Sequence, residues 1–230
     1  MAIDALVFDF DGLIIDTESV SHLAWQELYR SYDQELVFDQ WVHLVGGRST
    51  QYDPFADLHA KTGRVINRDE TIEWLYTRMR QLLKDTQPLP GVLDTIHTAR
   101  RLGLKLAVAS ASLAHWVHPL LERLELKQFF DAVCTRDEVT RMKPDPAVYL
   151  LALERIGVQP HRAVALEDSR NGMLAAKAAG MYCVAIPNPI TAGLDFSPAD
   201  MVLPSMKELA LVTLAERLPA QPRRLEWQPS

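Results

Sequence analysis

Short apolar runs, separated by segments of helical period, constrain this chain most. Ala5 to Phe8, Leu104 to Ala109, Ala163 to Leu166, Tyr182 to Ile186 and Met201 to Leu203 are each too short for a helix. They are aliphatic almost without interruption, as strands buried on both faces of a sheet are. A weaker strand is expected over Asp131 to Cys134. Between most of these runs lies an apolar stripe of helical spacing. Val92, Leu93, Ile96, Ala99 and Leu102 form one, closed by Gly103. Val148, Leu151, Ala152 and Ile156 end at Gly157, and Leu174, Ala175 and Ala178 end at Gly180. Glycine takes the left-handed conformation that stops a helix without steric cost. The alternation predicts an α/β fold, a doubly wound parallel sheet covered by helices on both faces.

The stretch from Thr17 to Thr86 breaks that rhythm. It offers no convincing buried strand and reads mostly as amphipathic helix. It holds three of the five Trp (Trp25, Trp41, Trp74) and four of the six Tyr (Tyr29, Tyr32, Tyr52, Tyr76). This shift predicts an all-α insertion after the first strand, leaving through Gln87-Pro88-Leu89-Pro90-Gly91, a proline-rich junction. The expected division is a discontinuous α/β core, 1–16 and 87–230, around a helical cap, 17–86. The tail from about Pro219, which carries Arg223-Arg224, is expected to fray.

Composition excludes several classes. With 48% hydrophobic residues in 230, the chain has ample material for a core and is not a disordered segment. A net charge of −6 argues against a nucleic-acid partner, because phosphate-backbone binders cluster Lys and Arg. Cys134 and Cys183 form no CxxC, so neither a disulfide framework nor a thiolate metal site is indicated. No run approaches the ~20 apolar residues of a membrane span. Asp4 and Asp9 stand where a signal peptide would carry positive charge and an unbroken apolar stretch. A soluble cytoplasmic protein with no membrane partner is expected. Nothing in the sequence demands a second copy, so a monomer is expected too.

Polar residues that could carry chemistry fall at the carboxyl ends of separate strands, where open α/β sheets place their ligands. Asp9-Phe10-Asp11-Gly12 follows the first strand. Two carboxylates at i and i+2 allow one to attack or bind a cation while the other handles protons; an acidic turn closing a strand is the plainer alternative. Ser110-Ala111-Ser112 follows the second, as a phosphate cradle of hydroxyl and backbone N–H or as a helix cap. Lys143 in Lys143-Pro144-Asp145-Pro146 is framed by two prolines that restrict its backbone, though a solvated loop lysine reads similarly. Glu167-Asp168 follows the fourth motif's strand and leads into Ser169-Arg170-Asn171-Gly172. One acid there is explained by a helix cap; two are not.

Taken together and in this order, FDFDG, SAS, KPDP and LEDSRNG resemble the haloacid dehalogenase (HAD) superfamily of hydrolases. The similarity covers nearly the whole chain and is closest to phosphatases with a small helical cap on a Rossmann-like core. The resemblance implies Asp9 as nucleophile, forming an aspartyl-phosphate, and Asp11 as general acid and then base. It implies a Mg²⁺ cofactor held by Asp9, the backbone carbonyl of Asp11 and Asp168, with Glu167 contributing directly or through water. Ser110 and the N–H of Ala111 would hold phosphoryl oxygens, with Lys143 as their positive partner. Arg48 is a further candidate for a phosphate or polar substrate group, or an ordinary surface arginine. The partner implied is a small phosphorylated metabolite.

Several rival readings compete with this one. The dehalogenase branch would not keep a carboxylate at Asp11, which favours phosphoryl chemistry. The same motifs also look like β-phosphoglucomutase, a phosphosugar mutase marked by a cap histidine four residues beyond a Thr, here Thr17, and by a cap lysine before a Gly. Here those positions are Ser21 and Val45. His22 is one place on, rotated by ~100° on a helix. A non-enzymatic phospho-receiver lacks the helical insertion, and a catalytically dead HAD-fold interaction protein would not need every catalytic position filled. His115 and His118, either side of Trp116, read as solvated or capping residues rather than pocket residues.

Overall fold

The computed structural model describes residues 3–46, 52–211 and 214. The described residues include six strands: β1 Ala5–Phe8, β2 Lys105–Ala109, β3 Ala132–Cys134, β4 Ala163–Glu167, β5 Tyr182–Ala185 and β6 Met201–Val202. They pair in the order β3-β2-β1-β4-β5-β6, every pairing parallel. The expected doubly wound α/β sheet is therefore the fold. Its strand order reverses between β1 and β4, and the crevice beyond the carboxyl ends of those strands is where such sheets bind ligands.

The helices are α1 Thr17–Arg30, α2 Phe38–Trp41, α3 Pro54–Thr62, α4 Arg68–Leu82, α5 Val92–Arg101, α6 Ala114–Arg123, α7 Ala147–Ile156 and α8 Arg170–Ala178. Side chains of successive strand residues point to opposite faces, so one sheet supplies two cores. Leu6, Phe8, Leu106, Val108, Val164 and Leu166 pack with Ile96 of α5 and Val117 and Leu121 of α6. On the other face Ala5, Val7, Ala107, Ala109, Ala163 and Ala165 meet Tyr149 and Ala152 of α7 and Met173 and Ala176 of α8. The small alanines of that face leave room for Tyr149, which is fully buried beneath the site.

Between β1 and α5 the chain is helical, with a cluster of its own. Ala24, Leu28 and Tyr29 of α1 pack with Leu58 of α3 and Leu75 of α4. The Tyr29 hydroxyl donates to the Pro54 carbonyl at 2.7 Å, and Arg78 of α4 grips Glu27 of α1 with two bonds at 2.6 and 2.8 Å. Asp16 caps α1 by accepting from the Ser19 N–H at 3.0 Å. The proline-rich exit is tied back to β1's loop by the Leu89 N–H, which donates to the Ile14 carbonyl at 2.8 Å.

Strand register levels the site. Phe8 lies opposite both Val108 and Leu166, so the residues that follow emerge side by side. The ladder continues one step further, with the Asp9 N–H donating to Leu166 and the Ser110 N–H to Cys134, both at 2.9 Å. No described helix is long and apolar enough to cross a membrane.

Candidate active site

Asp9 leaves β1 into the crevice, 5% exposed, and the turn after it depends on Gly12. Gly12 sits at φ +75°, and a Cβ there would collide with Asp168 Oδ2 and Asn188 Nδ2. Only glycine lets the Asp9–Asp11 loop lie this close to the loops of β4 and β5. The Gly12 N–H donates to the Thr17 hydroxyl at 3.0 Å, which ties the loop to the start of α1.

Lys143 is 1% exposed, and its Nζ lies 2.6 Å from Asp9 Oδ1 and 2.6 Å from Glu167 Oε1. Its peptide bond to Pro144 is cis, and Pro146 caps α7. Burial alone would lower the ammonium's pKa, but the Asp9 and Glu167 carboxylates outweigh it and hold it above the usual lysine value. Glu167 is wholly buried at the end of β4, with both oxygens committed. Oε1 accepts from Lys143 and from the Tyr149 hydroxyl at 2.6 Å; Oε2 accepts from the Ser169 N–H and hydroxyl at 3.3 and 3.1 Å. Gly172 on α8 faces that carboxyl, and a Cβ there would overlap it.

Asp168 completes the acidic group. One ligand oxygen each from Asp9, Glu167 and Asp168 lies within 4.8 Å of the others, all three residues buried. Asn188 donates from Nδ2 to Asp168 Oδ2 at 2.7 Å and to the Gly12 carbonyl at 3.2 Å. Asp168 Oδ1 is buried with no hydrogen-bond partner. Burial drives the Asp168 pKa well above the ordinary carboxylate value, with Asp9 and Glu167 adding repulsion. Burial likewise pushes Asp9 up to about 8 against the pull of Lys143, while Glu167 and Asp11 reinforce the rise. An orphaned carboxylate oxygen beside crowded carboxylates, with one lysine among them, suits a hard divalent cation with oxygen ligands.

Asp11 faces a cavity of about 330 Å³ that Asp9 also lines. Its Oδ1 accepts from the Trp116 indole N–H at 2.9 Å, and its Oδ2 lies 3.3 Å from the Ser110 hydroxyl. Ser110 is buried, and its Oγ accepts from the Ser112 N–H at 3.0 Å. Ala111 and Ser112 line the same cavity. Across from this polar floor stand Trp25, Trp41, Ile72, Leu75, Tyr76 and Met79 of the inserted helices.

The structure thus brings Asp9, Asp11, Ser110, Ala111, Lys143, Glu167 and Asp168 to one end of the sheet. Arg48 lies outside the described residues. Ser21 lines the cavity, whereas the His22 ring packs against Phe38 and Trp41 at 5.1 and 4.8 Å. His115 is exposed, with its ring 5.6 Å from that of Tyr76. The sequence reading missed Trp116, Tyr149, Asn188 and Glu18. Asn188 stands three residues after β5, so the strand-end criterion that found Asp9 and Ser110 also applies to it. Glu18 lines the cavity at the start of α1, its pKa raised by burial and by Asp11, Asp9 and Asp16.

Fold and site define a doubly wound α/β protein whose working groups are carboxylates at the carboxyl edge of a parallel sheet. Residues 6–186 match the haloacid dehalogenase-like hydrolase family, and the chain belongs to that family. It is 37% identical over 219 residues to YhcW of Bacillus subtilis (strain 168), covering 95% of this chain and 99% of that protein. It is 34% identical over 209 residues to hexitol phosphatase B of Escherichia coli (strain K12), covering 89% and 93%. Among solved structures, CbbY of Rhodobacter sphaeroides in complex with xylulose-(1,5)bisphosphate superposes with a TM-score of 0.74 at 29% identity, covering 90% of this chain and 96% of that one. The protein is an enzyme, a phosphoric monoester hydrolase of the HAD-like type.

Proposed function

We propose that this enzyme is a Mg²⁺-dependent phosphatase of small phosphomonoesters, sugar phosphates or similar metabolites, working through an aspartyl-phosphate on Asp9. The observation that carries the reading is the convergence of Asp9, Asp11, Ser110 and Lys143 on one strand edge beside the orphaned oxygen of Asp168. Mg²⁺ would be held by Asp9, the Asp11 backbone carbonyl and Asp168. When bound it supplies the positive charge that phosphoryl transfer demands. Glu167, with both oxygens already hydrogen-bonded, contributes negative charge and holds Lys143 in place.

The chain's own residues perform the rest. An Asp9 carboxylate oxygen attacks phosphorus, and the bond from phosphorus to the ester oxygen breaks. Asp11 gives its proton to the departing alkoxide. Ser110 and the Ala111 N–H bind the phosphoryl oxygens, and Lys143 fixes the orientation of Asp9 while offsetting the local carboxylate charge. In the second half Asp11 takes a proton from water, whose oxygen attacks the phosphorus. Asp9 is released with inorganic phosphate. Apolar side chains of α1 and α4 wall the cavity opposite these groups.

Residues 17–86 are read as a cap domain over a core of 1–16 and 87–230, in a cytoplasmic monomer. The names of the relatives point to phosphorylated polyols and sugars as the substrate class. Hydrolysis is favoured over phosphoryl shuttling because Ser21, not a histidine, faces the cavity from α1. The test is release of inorganic phosphate from p-nitrophenyl phosphate and a panel of hexitol, hexose and pentose phosphates, with and without Mg²⁺. Turnover that requires Mg²⁺ and vanishes in Asp9→Asn is expected. Wild-type turnover no faster than Asp9→Asn on every substrate would overturn the reading.

A further inference from the structure

Trp116 is 2% exposed in the first turn of α6, and its ring is confined on the cavity side by Tyr76 of α4, with centroids 5.2 Å apart. Its indole N–H points to Asp11 Oδ1 at 2.9 Å. An indole N–H only donates, so an oxygen bound to it is held as an acceptor. The other carboxyl oxygen, Oδ2, has the Ser110 hydroxyl as its neighbour at 3.3 Å, and a hydroxyl both donates and accepts. The two contacts together fix which way the carboxyl faces, with Oδ2 on the side of the Ser110–Ala111 loop. Asp11 is only partly buried, and without the indole its carboxyl is free to rotate towards water.

We propose that Trp116 is a positioning residue for Asp11: its indole N–H pins Oδ1 and fixes the orientation of the carboxyl in the cavity. This rests on Asp11 acting as general acid, and the test separates the two claims. Nothing in the order of sequence motifs predicts the contact, which joins residues 105 positions apart.

Trp116→Phe keeps an aromatic ring and removes the donor. The reading compares kcat/KM for β-glycerophosphate, whose alkoxide needs a proton to depart, with p-nitrophenyl phosphate, whose nitrophenolate leaves without one. This ratio reports steps up to the first phosphoryl transfer, so slow hydrolysis of the intermediate does not distort it. A correctly placed general acid is worth roughly 10²–10⁴-fold, and loss of its orientation should forfeit roughly tenfold to a hundredfold of that on the alkyl ester. The loss on p-nitrophenyl phosphate should be at least ~10-fold smaller. A packing defect alone lowers both substrates together, and that result refutes the proposal. Should Trp116→Phe fail to fold, benzothienylalanine installed at position 116 keeps the indole shape without the N–H and gives the same comparison. Asp11→Asn is run alongside. If Asp11→Asn discriminates between leaving groups and the Trp116 variants do not, the positioning claim fails while the general acid stands. If Asp11→Asn does not discriminate either, the general-acid reading fails first.

Discussion

Replacing Lys143 by methionine keeps most of the side-chain volume and removes one buried positive charge from between two carboxylates. Its Nζ is 2.6 Å from Asp9 Oδ1 and 2.6 Å from Glu167 Oε1, with the lysine side chain 1% exposed. At an effective dielectric of about 20, each pair attracts by about 6 kcal/mol, and burying the ammonium costs several kcal/mol in return. Removing one partner of such a group costs about 3–5 kcal/mol, since the remaining carboxylates lose their counter-charge. For a chain of this size each kcal/mol lowers Tm by about 2–4 °C, so a drop on the order of 10 °C is expected. The assay is thermal and urea unfolding in a chelator at pH 9 and 6.5, either side of the Asp9 value of about 8. A protonated Asp9 needs no counter-charge, so the loss should be larger at the higher pH. The raised folded pKa of Lys143 keeps its stabilisation intact across that range, to be lost only as pH climbs past the ordinary lysine value. A loss under about 1 kcal/mol at pH 9, or equal losses at both pH values, would refute the reasoning.

The wild type should itself show a pH slope in a chelator. Asp9 moves from 3.8 to about 8 on folding, so the folded chain holds a proton that the unfolded chain releases in that window. Stability should therefore fall as pH rises from about 4 to about 8, by up to ~1.4 kcal/mol per pH unit for one group, and Asp9→Asn should make the profile shallower by one group's share, the raised Asp168 and Glu18 keeping the rest. Mg²⁺ at about 100 times its Kd should add about 2.7 kcal/mol, and Asp168→Asn should abolish that gain; equal gains in both proteins would remove Asp168 from the metal site. Gly172→Ala forces a Cβ into the Glu167 carboxyl and should cost about 1–3 kcal/mol in urea unfolding, whereas Gly193→Ala, with nothing near its Cβ, should stay within about 0.5 kcal/mol.

The strands were legible because a parallel strand buried on both faces must be apolar at every position, and Ala5–Phe8 and Tyr182–Ala185 have no polar residue. Helix ends were legible where glycine stops them, as Gly157 does at φ +63°. Between Thr17 and Thr86 helical character was readable but the bounds of α1 to α4 were not, since those helices bury narrow stripes against one another. The motif residues Asp9, Ser110 and Glu167 were visible because the strand-end position is itself a sequence signal. The contacts that tune them were not. Tyr149 reaches Glu167 from the buried face of α7, where a tyrosine reads as ordinary core, and Trp116 reaches Asp11 from a different crossover. Register, rather than local pattern, decides which side chains meet at that edge.

The central claim is that Asp9 carries the phosphoryl group. Enzyme turning over its best substrate with Mg²⁺ is quenched in acid, reduced with borohydride and digested, and the peptide containing residues 9 and 11 is sequenced by mass spectrometry. An acyl phosphate is reduced where a free carboxylate is not, so the account predicts a reduced side chain at Asp9 alone, absent without substrate. Reduction at Asp11 instead, or an unmodified Asp9 in enzyme trapped during active turnover, would contradict it.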